Sequence, residues 1–528
     1  MLKGLCIAFA CAVLVLIGYI TRHASLDPGS VHIDDAWVLL GWKAHRWVDI
    51  QRAGSTSLGF VLLLRAWLGI VGSSYDHAQL LPFVFSLLNA PAFFLVALRM
   101  RMRYPAALLG SAMLLASPTL VSYSTRVKQY SIEVLLAILL IGLAAAILRD
   151  PTAMRAWIAY VLGSVVALVI SFALLGVVIA GLGAGLVAFF REEGSSRRWR
   201  SGALACTISV AVFAGAWFLT VIRPARSTAL HDFWSGFYLS DAVGRPNVAP
   251  WWHWTDTASS GLLAHDWKLF RFLFEGAFTG PAIVLLVGFV AATLLVAFRR
   301  PLHVLLFGIP FVVAVGGSVA QLTPLGGGRT DAWLYAPMTF MIVSAVDVVL
   351  EWAHGAQRGG VRVAPPSSDA TRGRGLMLSG IVSLIALVCL LNIPSPSAFP
   401  WPDAVPIVSK LEAGRRSSDL VVVAPNFTFN YALQAPQDIA TKVSTRNSTH
   451  FTPVLQGVNT MNWQDYAAPM REFDKRLSRV RDVWLIDAPE LVYPLGAGPR
   501  RTLASRGFLL SSQSRSNGGV LEHWHRSS

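Results

Sequence analysis

A series of long, unbroken apolar runs is the feature that most restricts what this chain can become. They cover roughly 4 to 20, 78 to 98, 105 to 121, 132 to 148, 156 to 171, 173 to 190, 202 to 222, 277 to 298, 302 to 320, 332 to 350 and 375 to 393, eleven in all. Their lengths cluster near the roughly 20 residues that a helix needs to cross bilayer hydrocarbon. Lipid offers no partners to backbone N–H and C=O groups, so such runs must be helices, and the absence of alternation excludes barrel strands. The stretch 156 to 190 has no polar break beyond Ser171 and is too long for one span, so it is read as a tight pair. With 54% apolar and only 14% charged residues, against about 25% charged in a soluble domain, disordered, collagenous and soluble multidomain classes are excluded. The expected fold is an α-helical polytopic membrane protein. Cys6, Cys11, Cys206 and Cys389 all lie inside apolar runs and have no metal-site spacing, so they read as small core residues.

Basic residues in short loops stay on the cytoplasmic side during insertion. With the N-terminus inside, and the first run kept as an anchor, the inner loops hold fifteen arginines, from Arg99, Arg101 and Arg103 to Arg372 and Arg374. The short outer loops hold only Arg126, Lys128 and Arg329. The segment 56 to 72 is apolar enough to suggest a twelfth span, but counting it would put Arg99, Arg101 and Arg103 outside, so it is read as a helix lying in the outer interface. The chain then divides into a transmembrane module over 1–393, with outer loops 21–77, 122–131, 223–276 and 321–331, and an extracytoplasmic domain over 394–528. In that domain Leu420-Val-Val-Val-Ala and Val483-Trp-Leu-Ile read as strands, with a possible helix between, giving a small α/β fold behind the Pro-rich linker 394–402.

The spans are nearly free of ionisable side chains, with Asp347 and Glu133 as exceptions near helix ends. An ion-coupled transporter keeps such groups near the midplane, where each costs several kcal/mol. The charged groups of interest lie instead in the outer loops. Asp34 and Asp35, in Val31-His-Ile-Asp-Asp-Ala-Trp37, repel one another, which raises one pKa unless a cation compensates and suits a general base; the same pair also suits the first turn of an interfacial helix. The loop Ser122-Tyr-Ser-Thr-Arg-Val-Lys-Gln-Tyr-Ser-Ile-Glu133 carries Arg126 and Lys128, a fork and a point charge that match phosphate oxygens, against the plainer reading of an interfacial anchor. Pro324-Leu-Gly-Gly-Gly-Arg-Thr-Asp-Ala-Trp-Leu-Tyr-Ala-Pro337 brings Arg329 to a helix start behind three glycines, and fits either an anion or a hairpin turn. The loop 223 to 276 carries Trp234, Trp251, Trp252, Trp254 and Trp267 with His231, His253 and His265; it reads as an interfacial aromatic belt or as a wall for a lipid chain or sugar, without the spacing of a zinc site.

The order of these features resembles the GT-C superfamily of polytopic glycosyltransferases, notably bacterial members related to the protein mannosyltransferase and aminoarabinose transferase families. Asp34-Asp35 is similar to that superfamily's acidic motif after the first span, the Tyr123 to Tyr130 segment to its Arg-x-x-Tyr-like segment, and Arg329 to Pro337, with Tyr335, to its late Arg/Tyr-Pro segment. Two features depart from the pattern: Asp35 stands where Glu is common, and Gln79-Leu-Leu-Pro82 where Arg-Leu-Pro precedes the second span. The resemblance implies an inverting glycosyltransferase that moves a sugar from a polyprenyl-phosphate donor to an envelope glycan, lipid or protein at the outer face of the plasma membrane. It implies that one of Asp34 and Asp35 is the base, taken here as Asp34, with the other orienting the base or the acceptor or helping to hold a divalent metal ion, if one is used. Arg126, Lys128 and Arg329 then bind the donor phosphate, and Tyr123, Tyr130, Glu133, His231, Trp234 and Tyr335 line the substrate cavity. The expected partners are the lipid-linked donor, the acceptor and the bilayer, with no nucleic acid. The competing readings are a flippase or transporter of lipid-linked sugars and a non-catalytic scaffold for envelope assembly.

Overall fold

The computed structural model describes residues 2–26, 31, 33–43, 57–191, 197–223, 237–239, 262–326, 330–354, 368–395, 404–424, 427–434, 439–443, 451–455, 459–462, 469–487, 495, 497–516 and 519–527. They form two compact units, one of Met1–Ser25 with Leu80–Ser397, the other of Leu26–Gln79 with Ala398–Ser528. The segment 26–79 therefore groups with the C-terminal segment.

The first unit is a helical bundle. Its elements are α1 (Leu2–Arg22), α4 (Tyr75–Arg99, from Leu80 onward), α5 (Tyr104–Leu115), α6 (Pro118–Ser122), α7 (Tyr130–Arg149), α8 (Met154–Ile170), α9 (Leu175–Arg191), α10 (Arg197–Trp217), α11 (Leu262–Ala277), α12 (Ala282–Arg299), α13 (Pro301–Val319), α14 (Ala332–Ala353) and α15 (Ser368–Leu391). Among the described residues nine helices are long and apolar enough to cross a membrane, and α5 and α8 are shorter apolar helices at two further predicted runs. The run 105 to 121, expected as one span, is broken: α5 stops at Leu115 and Pro118 opens the five-residue α6. Ser117 is the reason, because its hydroxyl caps the new helix by accepting from Leu120 N–H, and proline is favoured at a first helical position.

Where helices cannot gain by leaving water, close contact decides packing, and small residues permit it. Gly110 lies so near the Phe93 ring that a Cβ there would stand 2.2 Å from it, and Phe93 stacks on Phe340 at 4.1 Å. At the end of the bundle that carries Arg103, the buried Asp347 of α14 accepts from Arg103 N–H at 2.8 Å and from Arg300 Nη2 at 2.7 Å, while Arg300 Nη2 also meets Glu351 at 2.9 Å. Both oxygens of that carboxylate are thereby satisfied.

The second unit contains α2 (Ile33–Lys43) and α3 (Leu58–Val71) from the segment 26–79, then α16 (Ala404–Gly414), α17 (Thr428–Gln434), α18 (Pro469–Leu477) and α19 (Gly498–Ser505). A five-stranded sheet runs in the order β4-β1-β5-β7-β6, where β1 is Leu420–Val423, β4 Thr460–Asn462, β5 Asp482–Asp487, β6 Phe508–Ser516 and β7 Gly519–Arg526. β1 pairs in parallel with both β4 and β5, and β7 is antiparallel to β5 and β6. A separate ladder joins β2 (Ile439–Val443) to β3 (Phe451–Leu455). The strands expected at Leu420 and Val483 are the central β1 and β5, whose buried apolar runs suit a sheet covered on both faces.

Candidate functional site

In the second unit, Asp34 and Asp35 occupy the first turn of α2, where the positive end of the helix dipole favours carboxylates. Their surroundings differ. Asp35 is buried, at 0% exposure, and accepts a hydrogen bond from the Tyr75 hydroxyl at 3.2 Å, whereas Asp34 is only half-buried. At the far end of the helix, Lys43 Nζ donates to the carbonyls of Ala432 at 2.9 Å and Leu433 at 3.3 Å, near the C-terminus of α17. Helix ends leave such carbonyls without intrahelical partners, and a cation there also meets the negative pole of the dipole. The helix bearing the two carboxylates is thus tied at both ends within its own unit.

In the first unit, the segment from Ser117 to Glu133 gathers several of the predicted residues. Tyr123 and Tyr130 meet edge to face at 5.4 Å, and the Arg126 guanidinium lies 5.8 Å from the centre of the Tyr123 ring. Lys128 is buried, and the backbone between it and Arg126 makes a tight turn, Lys128 N–H to Arg126 O at 2.6 Å. Glu133, buried in the first turn of α7, has Ser171 and Gln129 beside its carboxyl. Tyr335 on α14 donates to Thr119 Oγ1 at 3.3 Å. Sequence reasoning missed the partner that completes this contact, Gly276: a Cβ there would lie 2.7 Å from both the Thr119 and Tyr335 oxygens, and Ser117 Oγ donates to Gly276 O at 3.0 Å. The Ser117-Pro118 cap was the available signal for the helix break, but nothing in the sequence announces its contact with α11.

Arg329, His231 and Trp234, and with them Trp251, Trp252, Trp254 and His253, lie outside the described residues. In the glycine-rich turn, Gly326 has φ +72° and packs onto Leu269, where a Cβ would fall 2.3 Å from the Leu269 carbonyl oxygen. At that position glycine serves the turn and a close approach to α11. Among the described residues no three His, Cys, Asp or Glu side chains stand together as a metal site. A cavity of about 330 Å³ between α12, α14 and α15, lined by Gly288, Ala292, Leu295, Ile342, Val346 and Leu378, is apolar and lies apart from these groups.

No protein-family model matches the chain, and no curated protein matches it by sequence. Solved structures do match by fold. ArnT from Cupriavidus metallidurans in the apo state superposes with a TM-score of 0.51 at 13% identity, over 99% of this chain and 98% of that one. The same protein bound to undecaprenyl phosphate gives 0.52 at 13% identity, over 98% and 97%. The archaeal oligosaccharyltransferase AglB from Archaeoglobus fulgidus gives 0.47 at 12% identity, over 100% of this chain and 75% of that one. The fold is the one seen in ArnT, with bundle and appended α/β unit both inside the matched length. This is a multi-pass membrane protein.

Proposed function

We propose that the chain is an inverting glycosyltransferase that takes a sugar from a polyprenyl-phosphate donor and passes it to an envelope glycan, lipid or protein at the outer face of the plasma membrane. The observation that carries this reading is the likeness of fold, along almost the whole of both chains, to ArnT bound to undecaprenyl phosphate. The charge bias of the short loops supports a cytoplasmic N-terminus and an outer location for residues 122–131 and 394–528.

Asp34 is the base in this proposal because it is the more exposed of the two carboxylates, half-buried where Asp35 is fully buried. It takes the proton of an acceptor hydroxyl as that oxygen attacks the anomeric carbon. The bond from that carbon to the phosphate oxygen breaks on the opposite side, inverting the centre, and the electron pair leaves with the polyprenyl phosphate. Negative charge grows there, and Arg126, Lys128 and Arg329 are assigned to neutralise it.

The test is reconstitution in nanodiscs with a polyprenyl-phosphate sugar and envelope acceptors, measuring release of polyprenyl phosphate. Asp34→Asn should lower transfer by about 10² to 10⁴ while donor binding stays within a factor of about two, since only the proton acceptor is removed. Turnover at the rate of the unaltered chain would remove Asp34 from the mechanism. Arg329→Ala should chiefly weaken donor binding, and unchanged donor affinity would count against its role.

A further inference from the structure

Arg22, the last residue of α1, is 2% exposed. One of its nitrogens, Nη2, donates to the Leu115 carbonyl at the end of α5, at 3.3 Å. Its Nε and Nη1 are buried and have no hydrogen-bond partner among the described residues. The guanidinium is wedged where three helices meet: Leu87 of α4, Leu115 of α5 and Nη1 itself all come within 3.5 Å of the point where a Cβ on Gly18 would stand. A buried cation with unmet donors is costly in any protein, and in a membrane-spanning helix it is retained where it meets a functional partner.

The polar groups that follow point to the kind of partner. Three residues beyond Arg22, the Ser25 carbonyl accepts from Thr125 Oγ1 at 2.9 Å, which stitches the end of α1 to the loop carrying Arg126 and Lys128. The Ser25 hydroxyl is also buried without a partner among the described residues. One stitched pair of segments therefore carries three cations and a spare hydroxyl. Guanidinium presents parallel N–H donors that match two oxygens of a phosphate. We infer that Arg22 is an additional ligand for a phosphate monoester, held from the α1 side of the loop 122–131. The inference rests on the donor chemistry proposed above and extends it to a residue outside the predicted site.

The alternative is that Arg22 only caps α5 through Leu115, and the two roles separate experimentally. Arg22→Gln keeps an N–H donor for the carbonyl but loses the charge and the fork; Arg22→Lys keeps the charge alone. The chain in zwitterionic nanodiscs is titrated with undecaprenyl phosphate, with the neutral alcohol undecaprenol, and with inorganic phosphate and a short prenyl phosphate as competitors. Arg22→Gln should weaken undecaprenyl phosphate binding at least tenfold, with Arg22→Lys in between, and leave undecaprenol binding and the melting temperature unaltered. Displacement by prenylated phosphates alone identifies the lipid carrier as the source; displacement by inorganic phosphate identifies a soluble one. Equal affinity in all three proteins, or equal loss for alcohol and phosphate, overturns the inference. If Arg22→Gln fails to fold, a normal affinity in Arg22→Lys at raised ionic strength overturns it as well. Should the unaltered chain prefer the alcohol to the phosphate and release no polyprenyl phosphate, it is the proposed function that fails.

Discussion

The two units of this chain both bury carboxylates against arginine, but they place those networks and fill their interiors differently. The helical unit keeps charge at its ends, as in the cluster of Asp347, Arg103 and Arg300, and fills its interior through close fits such as Gly110 against Phe93. The sheet-bearing unit places charge within its own fold: Arg500 reaches Asp487 Oδ2 at 3.0 Å and Glu522 Oε1 at 3.0 Å, and Trp524 Nε1 donates to the same Glu522 carboxylate at 3.0 Å. Water explains the difference. Removing apolar surface from water is the main drive of a sheet-bearing fold, whereas helices surrounded by lipid gain little from apolar contact as such and depend on fit. The candidate base belongs to the first kind of environment and the candidate phosphate ligands Arg126 and Lys128 to the second.

The comparison breaks most easily at Arg500. Arg500→Met should destabilise the sheet-bearing unit by about 3–5 kcal/mol, because the Asp487 and Glu522 carboxylates, 2% and 5% exposed, lose their cation. Limited proteolysis should cut residues 404–527 while the bundle stays resistant, and a single shared transition would show that the units are not separate. Lys43→Met, which strips a charged donor from the end of α17, should cost about 1.5–3 kcal/mol and lower transfer with little change in donor affinity. The charge-conserving Lys43→Arg should recover part of both losses. Unchanged turnover would detach the carboxylate helix from that unit's stability. Gly276→Ala should cost about 1–3 kcal/mol in the bundle alone, since the new methyl displaces the Thr119 and Tyr335 hydroxyls; a thermal shift confined to the sheet-bearing unit would contradict it.

The smallest effect concerns acid. Partial burial pushes the Asp482 carboxyl up, but hydrogen bonds from His525 at 2.8 Å and His523 at 2.9 Å outweigh it and hold the group below its ordinary range. A carboxyl depressed in the folded state contributes stability that is present above its unfolded pKa of about 3.9 and is lost as pH falls through the folded value. Asp482→Asn should therefore flatten the loss of stability of the sheet-bearing unit below about pH 4, read from its melting temperature across that range. An unaltered acid limb would exclude Asp482 as its source.

Much of this was legible because a membrane makes sequence speak plainly: every apolar run holds helix, and the buried strands β1 and β5 stand out as the apolar stretches Leu420-Val-Val-Val and Val483-Trp-Leu-Ile. Three things were not. The α5–α6 break hides in a run that stays apolar on both sides of Ser117. Arg22 falls just past the run 4 to 20, so counting charges within runs passed over a guanidinium that folds back along its own helix toward Gly18. The grouping of residues 26–79 with 398–528 depends on contacts across hundreds of residues, including Lys43 with Ala432, for which no local pattern exists. In the site, the polar identities of Asp34, Asp35, Arg126 and Lys128 could be read directly, but the burial of Asp35 beside the Tyr75 hydroxyl has no local signal.

The pairing of β6 with β7 slips between Leu510 and Ser512, leaving Ser511 as the extra residue, its hydroxyl turned to His523 Nδ1 at 2.8 Å. Among the described residues β6 is an outermost strand and shows Leu509 and Leu510 to the surroundings, 64% and 47% exposed, the pattern that invites another chain to add a strand. A visiting strand would keep step for only a few residues before the slip threw its next amides out of line. Molecules confined to a sheet of lipid collide often and in a fixed orientation, so this irregularity guards against their zipping together edge to edge.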